Sequence, residues 1–226
     1  MSTTLLAMRS YVRNQTLVET DDVSNANLDI MLNAGLNQLS LAWNWPFLQA
    51  TATLSTVADT QTIAVPADFR KAYLLYETDT RVRLKEVTFE QAISTWGGDP
   101  PAGDEARWFY FWNNTFYLIP IPATTESAEY TLFYQKAITE LSADGDTPEF
   151  VSEFHLLPTQ YAIARVWEHE EDFPKATEAD TQFREQVEQM ARYYQNLTED
   201  SPSIFGDGVR PSLSDRNNMP WLDKAT

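Results

Sequence analysis

The two histidines of the chain, His155 and His169, are the residues best suited to hold a metal ion. His169 lies in the acidic stretch 167–172, whose carboxylates are also possible ligands. The spacing does not match the HExxH motif, and neighbouring residues of a helix point about 100° apart, so these side chains do not converge on one ion. Runs of like charge on a helix are typical of a solvated surface. The stretch therefore predicts a solvated acidic helix end and no metal site.

No motif of a catalytic centre accompanies the histidines. The sequence contains no GxSxG nucleophile, no P-loop and no GxGxxG. The glycine-rich segment 97–103 lacks the lysine and the following helix of a phosphate-binding loop, so it predicts a flexible loop. Among 33 acidic residues some pair always lies at glycosidase separation by chance. The chain has no cysteine, which excludes thiol chemistry and disulfides. We expect no catalytic residue, no cofactor and no metal.

The strongest local signal is an aromatic run on either side of Asn113 and Asn114. Two asparagines tolerate positive φ, so they predict a two-residue primed turn that fixes the register of a β-hairpin. The cross-strand pairs expected from this turn are Trp112 with Thr115, Phe111 with Phe116, Tyr110 with Tyr117, and Phe109 with Leu118. One face of the hairpin then carries only apolar side chains and is expected to be core: Phe109, Phe111, Phe116 and Leu118.

The other face of the hairpin carries amphipathic rings and is the candidate site of the sequence. Large aromatic side chains dominate cores and interfaces, so this face predicts packing on another layer or on a neighbouring subunit. The alternative is a platform on which sugar rings stack. The residues of this possible subunit interface are Trp108, Tyr110, Trp112 and Tyr117.

The elements that must position this hairpin change period along the chain. Apolar residues recur at helical spacing in residues 1–45 and again in 150–198, and they alternate as in strands between 46 and 149. No single terminal helix can bury its apolar stripe alone. The pattern therefore predicts an α+β fold, in which an antiparallel helical bundle built from both termini carries an inserted antiparallel β domain and an extended C-terminal arm.

Several local features set expectations for individual elements. A first helix is expected over residues 3–13, and the next follows a polar break with Asp21, Asp22 or Ser24 as its N-cap. A short helix is expected over 89–96 and two more after residue 148, the first with Pro158 in its opening turn or at a kink. The predicted strands are a segment at 50–55 with 61–65 pairing back on it, a hairpin of 69–77 with 81–87, and a last strand, 130–136, that closes a small sheet or barrel.

The segment 199–226 is the predicted arm. It is rich in proline, glycine and serine, with scattered apolar residues, so we expect that it does not bury enough surface to fold alone. Fully extended at about 3.3 Å per residue, it could span roughly 90 Å and cross a neighbouring subunit. Its apolar end makes it a candidate partner-binding arm, with the candidate contact residues Pro211, Met219, Pro220, Trp221 and Leu222.

Charge and hydropathy restrict the partners. With 33 acidic and 16 basic residues the net charge is −17, which opposes adhesion to nucleic acid or to an anionic membrane. Sequence-specific DNA binding is therefore not expected, although an acidic surface suits a channel through which DNA slides. No run of 18 apolar residues is present, and the N-terminal segment lacks a secretory signal, so we expect a soluble, unexported chain.

Two short motifs carry a resemblance to a known class. The segment Trp43-Asn-Trp-Pro-Phe47, followed by a threonine-rich strand and Ile63-Ala-Val-Pro-Ala-Asp-Phe-Arg70, resembles head-to-tail adaptor proteins of tailed bacteriophages, the class that includes tail tubular protein A. The resemblance implies a helical bundle with an inserted β domain and a structural role with no catalytic residue.

The same resemblance implies partners and a location. Members of that class form a ring, commonly dodecameric, beneath the portal protein and above the tail tube or nozzle protein, and their C-terminal extension often docks onto the portal. The resemblance thus implies a homo-oligomeric virion protein in the neck between capsid and tail, assembled in the host cytoplasm, with DNA passing through its channel. The alternative left by the residues is a carbohydrate-binding or receptor-recognition tail module that uses the aromatic strand face.

Overall fold

The structure of the protein is a computed structural model that describes residues 3–97, 100–103, 105–127 and 129–199. Its helices are α1 (Leu5–Thr16), α2 (Asn25–Ala42), α3 (Phe89–Trp96), α4 (Leu157–His169) and α5 (Phe173–Glu199). Its strands are β1 (Gln49–Leu54), β2 (Thr62–Ala64), β3 (Phe69–Glu77), β4 (Lys85–Glu86), β5 (Ala102–Gly103), β6 (Trp108–Trp112), β7 (Thr115–Ile119), β8 (Ile121–Pro122) and β9 (Tyr130–Lys136). The mixed α and β content expected from the sequence is therefore present, with helices at both ends.

The first two helices begin and end at identifiable caps. The N-cap of α2 is Ser24, one of the three predicted candidates, and its hydroxyl accepts the amide of Asn27 at 3.2 Å. The predicted end of the first helix at residue 13 is wrong, since α1 continues to Thr16, whose hydroxyl donates to the carbonyl of Val12 at 2.8 Å. The helix ends only where Leu17 takes the left-handed conformation, with φ of 61°.

Helices α1, α2, α4 and α5 bury their apolar stripes in one hydrophobic cluster. Met8, Leu32, Val166 and Met190 are all 0% exposed in it. The seam predicted for α5 packs chiefly against α4, and Pro158 lies in the first turn of α4, as expected. The helices from the two ends of the chain therefore share a core, because none of them covers its own stripe.

An aromatic cluster lies where α2 leads into the β region. Trp45 is 0% exposed, and its indole N–H donates to the carbonyl of Leu39 at 2.6 Å. Its ring lies 5.1 Å from that of Trp43, 5.7 Å from that of Phe47 and 6.0 Å from that of Tyr194 on α5, between centroids. This tryptophan therefore joins the end of α2 to α5 at the point where the chain leaves the helices.

A buried ionic cluster joins α1 to two distant parts of the chain. The guanidinium of Arg9 contacts Asp29 of α2 through two nitrogens, at 2.5 and 2.8 Å, and Asp144 through a third, at 2.6 Å. Arg9 is only 8% exposed. The hydrogen bond to Asp29 contributes most to raising the pKa of Arg9, against the opposing effect of burial. The guanidinium thus stays charged inside the helical part.

The β region consists of two main sheets that share one core. The first has the strand order β1-β9-β3 and the second β2-β7-β6-β4, and a small pair, β5 with β8, lies beside them. Leu75, Phe116 and Leu132, taken from both sheets, are at most 1% exposed in the common cluster. Strand β9, which was expected to close a small sheet or barrel, is therefore the central strand of a three-stranded sheet.

One pairing predicted in this region is wrong, and a second is confirmed only next to its loop. Residues 61–65 do not pair back on β1, since β2 pairs with β7 and β1 pairs with β9. The predicted hairpin of 69–77 with 81–87 forms next to its loop, where Tyr76 bridges Arg83 and the backbone amides of Glu77 and Leu84 donate to the carbonyls of Val82 and Leu75. Farther from the loop, β4 pairs with β6. In both cases the long-range partner adds a strand to a sheet with a buried face, and a local hairpin alone does not.

Candidate assembly surfaces

The aromatic hairpin forms as predicted. Asn113 and Asn114 have φ of 46° and 55°, and all four predicted cross-strand pairs occur in the register of β6 and β7. On the apolar face, Phe116 and Leu118 are fully buried in the β core. Phe111, expected to be core, remains 39% exposed at the rim, because it lies next to the turn.

The amphipathic face of the hairpin is covered by α3. This helix starts with a reciprocal capping box between Thr88 and Gln91, which fixes its position at the end of β4. Beneath it Tyr110 is 7% exposed and stacks on Tyr117, with ring centroids 4.8 Å apart, and Trp108 lies 5.5 Å from Trp96 of α3. The face thus packs mainly on a layer of the same chain.

Trp112 is the one member of this face that remains largely open, at 51% exposure. Its ring stacks on Phe89 of α3, with centroids 4.3 Å apart and planes inclined by 18°. A sugar can stack only on a ring face that is open to solvent. Because α3 covers Tyr110 and part of its neighbours, the face is better suited to internal packing than to stacking of a ligand.

His155 is a buried structural histidine. It is 4% exposed, its Nδ1 accepts the backbone amide of Thr3 at 3.1 Å, and its Nε2 lies 2.8 Å from the carbonyl of Phe150. Since Nδ1 accepts, Nε2 carries the proton and donates to that carbonyl. The residue therefore fastens the N-terminal segment to the chain before α4.

The acidic stretch forms the end of α4 and the turn that leads into α5. His169, Glu170 and Glu171 are exposed, whereas Asp172 caps α5 by accepting the backbone amide of Lys175 at 3.3 Å. The side chain of Lys175 lies 2.7 Å from Asp172, and this hydrogen bond chiefly lowers the pKa of the carboxyl group. Among the described residues, no group of three or more His, Asp or Glu side chains is placed to hold a metal ion.

The second motif of the resemblance connects the β region to α2. Arg70 donates to the hydroxyl of Ser40 at 2.7 Å and to the side-chain oxygen of Asn37 at 3.3 Å. Two residues earlier, Asp68 accepts the phenol of Tyr134 on β9 at 2.9 Å. Burial, with a smaller contribution from Asp68, raises the pKa of Tyr134 to about 12. The motif is therefore a structural joint.

This joint predicts a loss of stability at alkaline pH. Tyr134 has a higher pKa in the folded chain than the value of about 10 in an unfolded one, so its contribution is complete below about pH 10 and is lost as the pH rises through about 12. Between about pH 9 and about pH 11.5, we expect the free energy of unfolding to fall by about 2 kcal/mol less in Tyr134→Phe than in the unsubstituted chain. Urea unfolding at the two pH values measures both falls. An equal decline in both proteins would contradict the assignment. Tyr76→Phe is the matched control.

The exposed side of α2 has an unusual lack of charge. Asp29 is the only charged residue of this helix, and it is engaged with Arg9. Ile30 and Leu41, one at each end of the outward face, are 68% and 70% exposed. In a chain of net charge −17, such a face is where another acidic molecule can approach with least repulsion.

This face borders an open groove of about 680 Å³ between α2, α4 and α5. Its apolar surface is formed by Leu41, Ala42, Tyr161, Phe183 and Val187. Four charged residues also line it: Arg165, Asp180, Arg184 and Glu188. A second open groove, of about 510 Å³, lies on the outer face of the β1-β9-β3 sheet beside the exposed rings of Tyr73 and Phe133. Each groove is formed by three helices or three strands at once, so no local pattern in the sequence indicates it.

The arm predicted from residue 199 lies outside the described residues except for Glu199, the last residue of α5. All the candidate contact residues of the arm also lie outside the described residues: Pro211, Met219, Pro220, Trp221 and Leu222. Among the described residues, no helix combines the length and hydrophobicity that crossing a lipid bilayer requires.

Comparison with known proteins identifies the family. No curated protein matches the chain. The family model described as SU10 adaptor protein matches residues 3–206, which include every described helix and strand and end before most of the arm. The phage adaptor expected from the two motifs is thereby confirmed at the level of the family. The chain belongs to the SU10 adaptor protein family, a family of structural adaptor proteins of bacteriophages.

Proposed function

We propose that this protein is a ring-forming head-to-tail adaptor that joins the portal to the tail and leaves a channel for DNA. The observation that carries the proposal is the adaptor-family match over residues 3–206. The uncharged face of α2 and its open groove support it, because an acidic chain needs such surfaces to meet its own copies. The mechanism is assembly without turnover.

The copy number, location and partners in this proposal are those of head-to-tail adaptor proteins of tailed bacteriophages. The ring is a dodecamer in the neck of the virion, assembled in the host cytoplasm, with the portal protein above it and a tail tube or nozzle protein below. A heterologous contact between identical copies closes such a ring by rotation. The net charge of −17 suits a channel that DNA passes without specific binding. Among the aromatic candidates, Trp112 remains the one with a largely exposed ring for a subunit contact.

Light-scattering mass after size exclusion tests the proposal, on the chain alone and on the chain co-expressed with the portal of the same phage. A large closed oligomer, or a chain that assembles only when the portal is present, is the expected result. A stable monomer that ignores the portal would contradict it and would favour a recognition module.

Deletion of residues 201–226 is expected to weaken attachment to the portal without changing the unfolding midpoint. The apolar end of the arm supplies the contact in this proposal, whereas the core of the fold lies before residue 197. Trp221→Ala combined with Leu222→Ala should reproduce the loss, and Ser212→Ala combined with Ser214→Ala is the matched control. Co-sedimentation with portal rings measures attachment. If the truncated chain attached to the portal as well as the full chain, the arm would not be the portal-binding segment.

A further inference from the structure

We infer that a basic ridge on the β region of one copy binds an acidic turn on the helical part of the next copy. The inference rests on the proposed function, since it supplies the attraction between neighbouring copies of the ring. The occupant of the ridge is thus a second copy of this chain. The turn is the acidic stretch 168–172, and the residues of the ridge are Arg81, Arg83, Lys85 and Arg107.

The ridge lies on the extended segment that leads into β4 and on the residue before β6. Arg83 and Lys85 flank Leu84, which is 1% exposed, so their side chains lie on the side of the segment opposite the β core. The backbone amide of Lys85 donates to the carbonyl of Arg107 at 2.9 Å, which places this arginine next to the segment. All four residues are exposed. The β region therefore presents a group of cations to solvent.

These cations lack a partner in the part of the chain that the structure describes. None of the four side chains makes an ion pair or a hydrogen bond there. Acidic residues outnumber basic ones by 33 to 16, so a cation of this chain has many possible carboxylate partners. In the helical part every described basic residue is engaged by an ion pair or a hydrogen bond: Arg9, Arg13, Arg165, Lys175, Arg184 and Arg192.

A second copy is the occupant that this charge distribution favours. Each copy carries a net charge of −17, so copies that meet in a ring need an attraction that offsets their repulsion. The cations of the helical part are already engaged within their own copy, so the attraction depends on those of the β region. DNA is also a polyanion, but a ring of such acidic copies opposes its adhesion. An acidic protein surface that packs directly on the ridge is the better match.

The acidic turn is the strongest counterpart on the helical part. Glu170 and Glu171 are exposed, and neither side chain has an ion pair or a hydrogen bond among the described residues. No ion pair joins the turn to the ridge within the described part of one copy. Because the two surfaces differ, a contact between copies is heterologous, the type that can close a ring. The turn holds four carboxylates in five positions, the densest such group in the described chain: Glu168, Glu170, Glu171 and Asp172.

Zero-length cross-linking maps the contact. A carbodiimide joins a lysine to a carboxylate only when the two side chains touch, and Lys85 is the lysine of the ridge. The full chain is mixed from isotopically labelled and unlabelled copies, and the portal is added if assembly requires it. We expect amide links from Lys85 of one copy to Glu170 or Glu171 of another, which mass spectrometry distinguishes from internal links. The ion pair of Lys175 with Asp172, at 2.7 Å in one copy, is the internal positive control.

Charge reversal gives a second readout of the same contact. Lys85→Glu should weaken assembly about tenfold or more, because two acidic surfaces then face each other. Glu171→Lys added to that chain should restore assembly. The matched control is Lys71→Glu, since Lys71 is also exposed and unpaired among the described residues but lies on β3, outside the ridge. Light-scattering mass at several protein concentrations measures assembly. The unfolding midpoint, which should not move for exposed side chains, checks the fold of each variant.

Several results would overturn the contact. Links from Lys85 only to its own copy, or to another copy outside the acidic turn, would do so, as would equal losses of assembly in Lys85→Glu and Lys71→Glu. Binding of a duplex DNA fragment at about 0.15 M salt that Lys85→Glu abolishes would assign the ridge to DNA. In each of these cases a closed oligomer would leave the proposed ring in place. A chain that stays monomeric with and without the portal would contradict both proposals.

Discussion

Replacing Trp45 with alanine is expected to lower the free energy of unfolding by about 3–5 kcal/mol, since a fully buried tryptophan leaves a large cavity. The loss includes ring contacts to Trp43, Phe47 and Tyr194 and the hydrogen bond to the carbonyl of Leu39. Urea unfolding followed by circular dichroism measures the change, with the slope of the transition checked to be unaltered.

Two further variants separate the parts of this effect. Trp45→Phe keeps a ring in the cavity but leaves the carbonyl of Leu39 without its donor, so a smaller loss of about 1–3 kcal/mol is expected. Trp112→Ala is the exposed control and should cost about 1 kcal/mol or less, since it removes one stacking contact to Phe89. Equal losses at Trp45 and Trp112 would show that the junction between helices and β region does not depend on Trp45.

The two motifs behind the resemblance are therefore packing motifs. Trp45 joins the end of α2 to α5, and Arg70 joins the start of β3 to Ser40 on α2. Arg70 holds the β region against α2, and Trp45 fixes the end of α2 where the chain enters the β region.

Features that depend on neighbouring residues could be predicted from the sequence. The Asn113-Asn114 turn sets the register of β6 and β7, and the capping residues set the starts of α2 and α3. In each case the deciding chemistry lies within a few residues: positive φ in the turn, and a hydroxyl that accepts a backbone amide at the cap.

Pairings between distant segments could not be predicted in the same way. Residues 62–64 alternate as any half-buried strand does, and this period does not tell whether the partner is β1 or β7. The covering of Tyr110 by α3 is similar, because both elements were expected and their contact was not. The buried position of Arg9 has one sign in the sequence, since this charged residue directly follows Met8 on the apolar side of a helix. Its two partners could not be predicted, because they lie 20 and 135 residues away.

Arg9→Met is expected to lower the free energy of unfolding by about 2–4 kcal/mol. Removing one member of a buried ion pair costs about 3–5 kcal/mol, because its partner stays behind without compensation. The lower figure applies here since the side chains of Asp29 and Asp144 are 26% and 66% exposed and water can solvate them in part. Urea unfolding at low and high salt measures the change, which salt should reduce only slightly for so buried a guanidinium.

The strength of the pair itself follows from a double-mutant cycle with Asp29→Asn. We expect a coupling of about 1–3 kcal/mol, because the contact uses two nitrogens of Arg9 and both oxygens of Asp29. Arg9→Lys should lose about half of the effect, since a lysine keeps the charge but not the planar fork. Arg192→Met removes an exposed pair at 3.6 Å and should cost less than about 0.5 kcal/mol. Additive losses for Arg9 and Asp29 would mean that this ion pair does not help to hold α1 to α2.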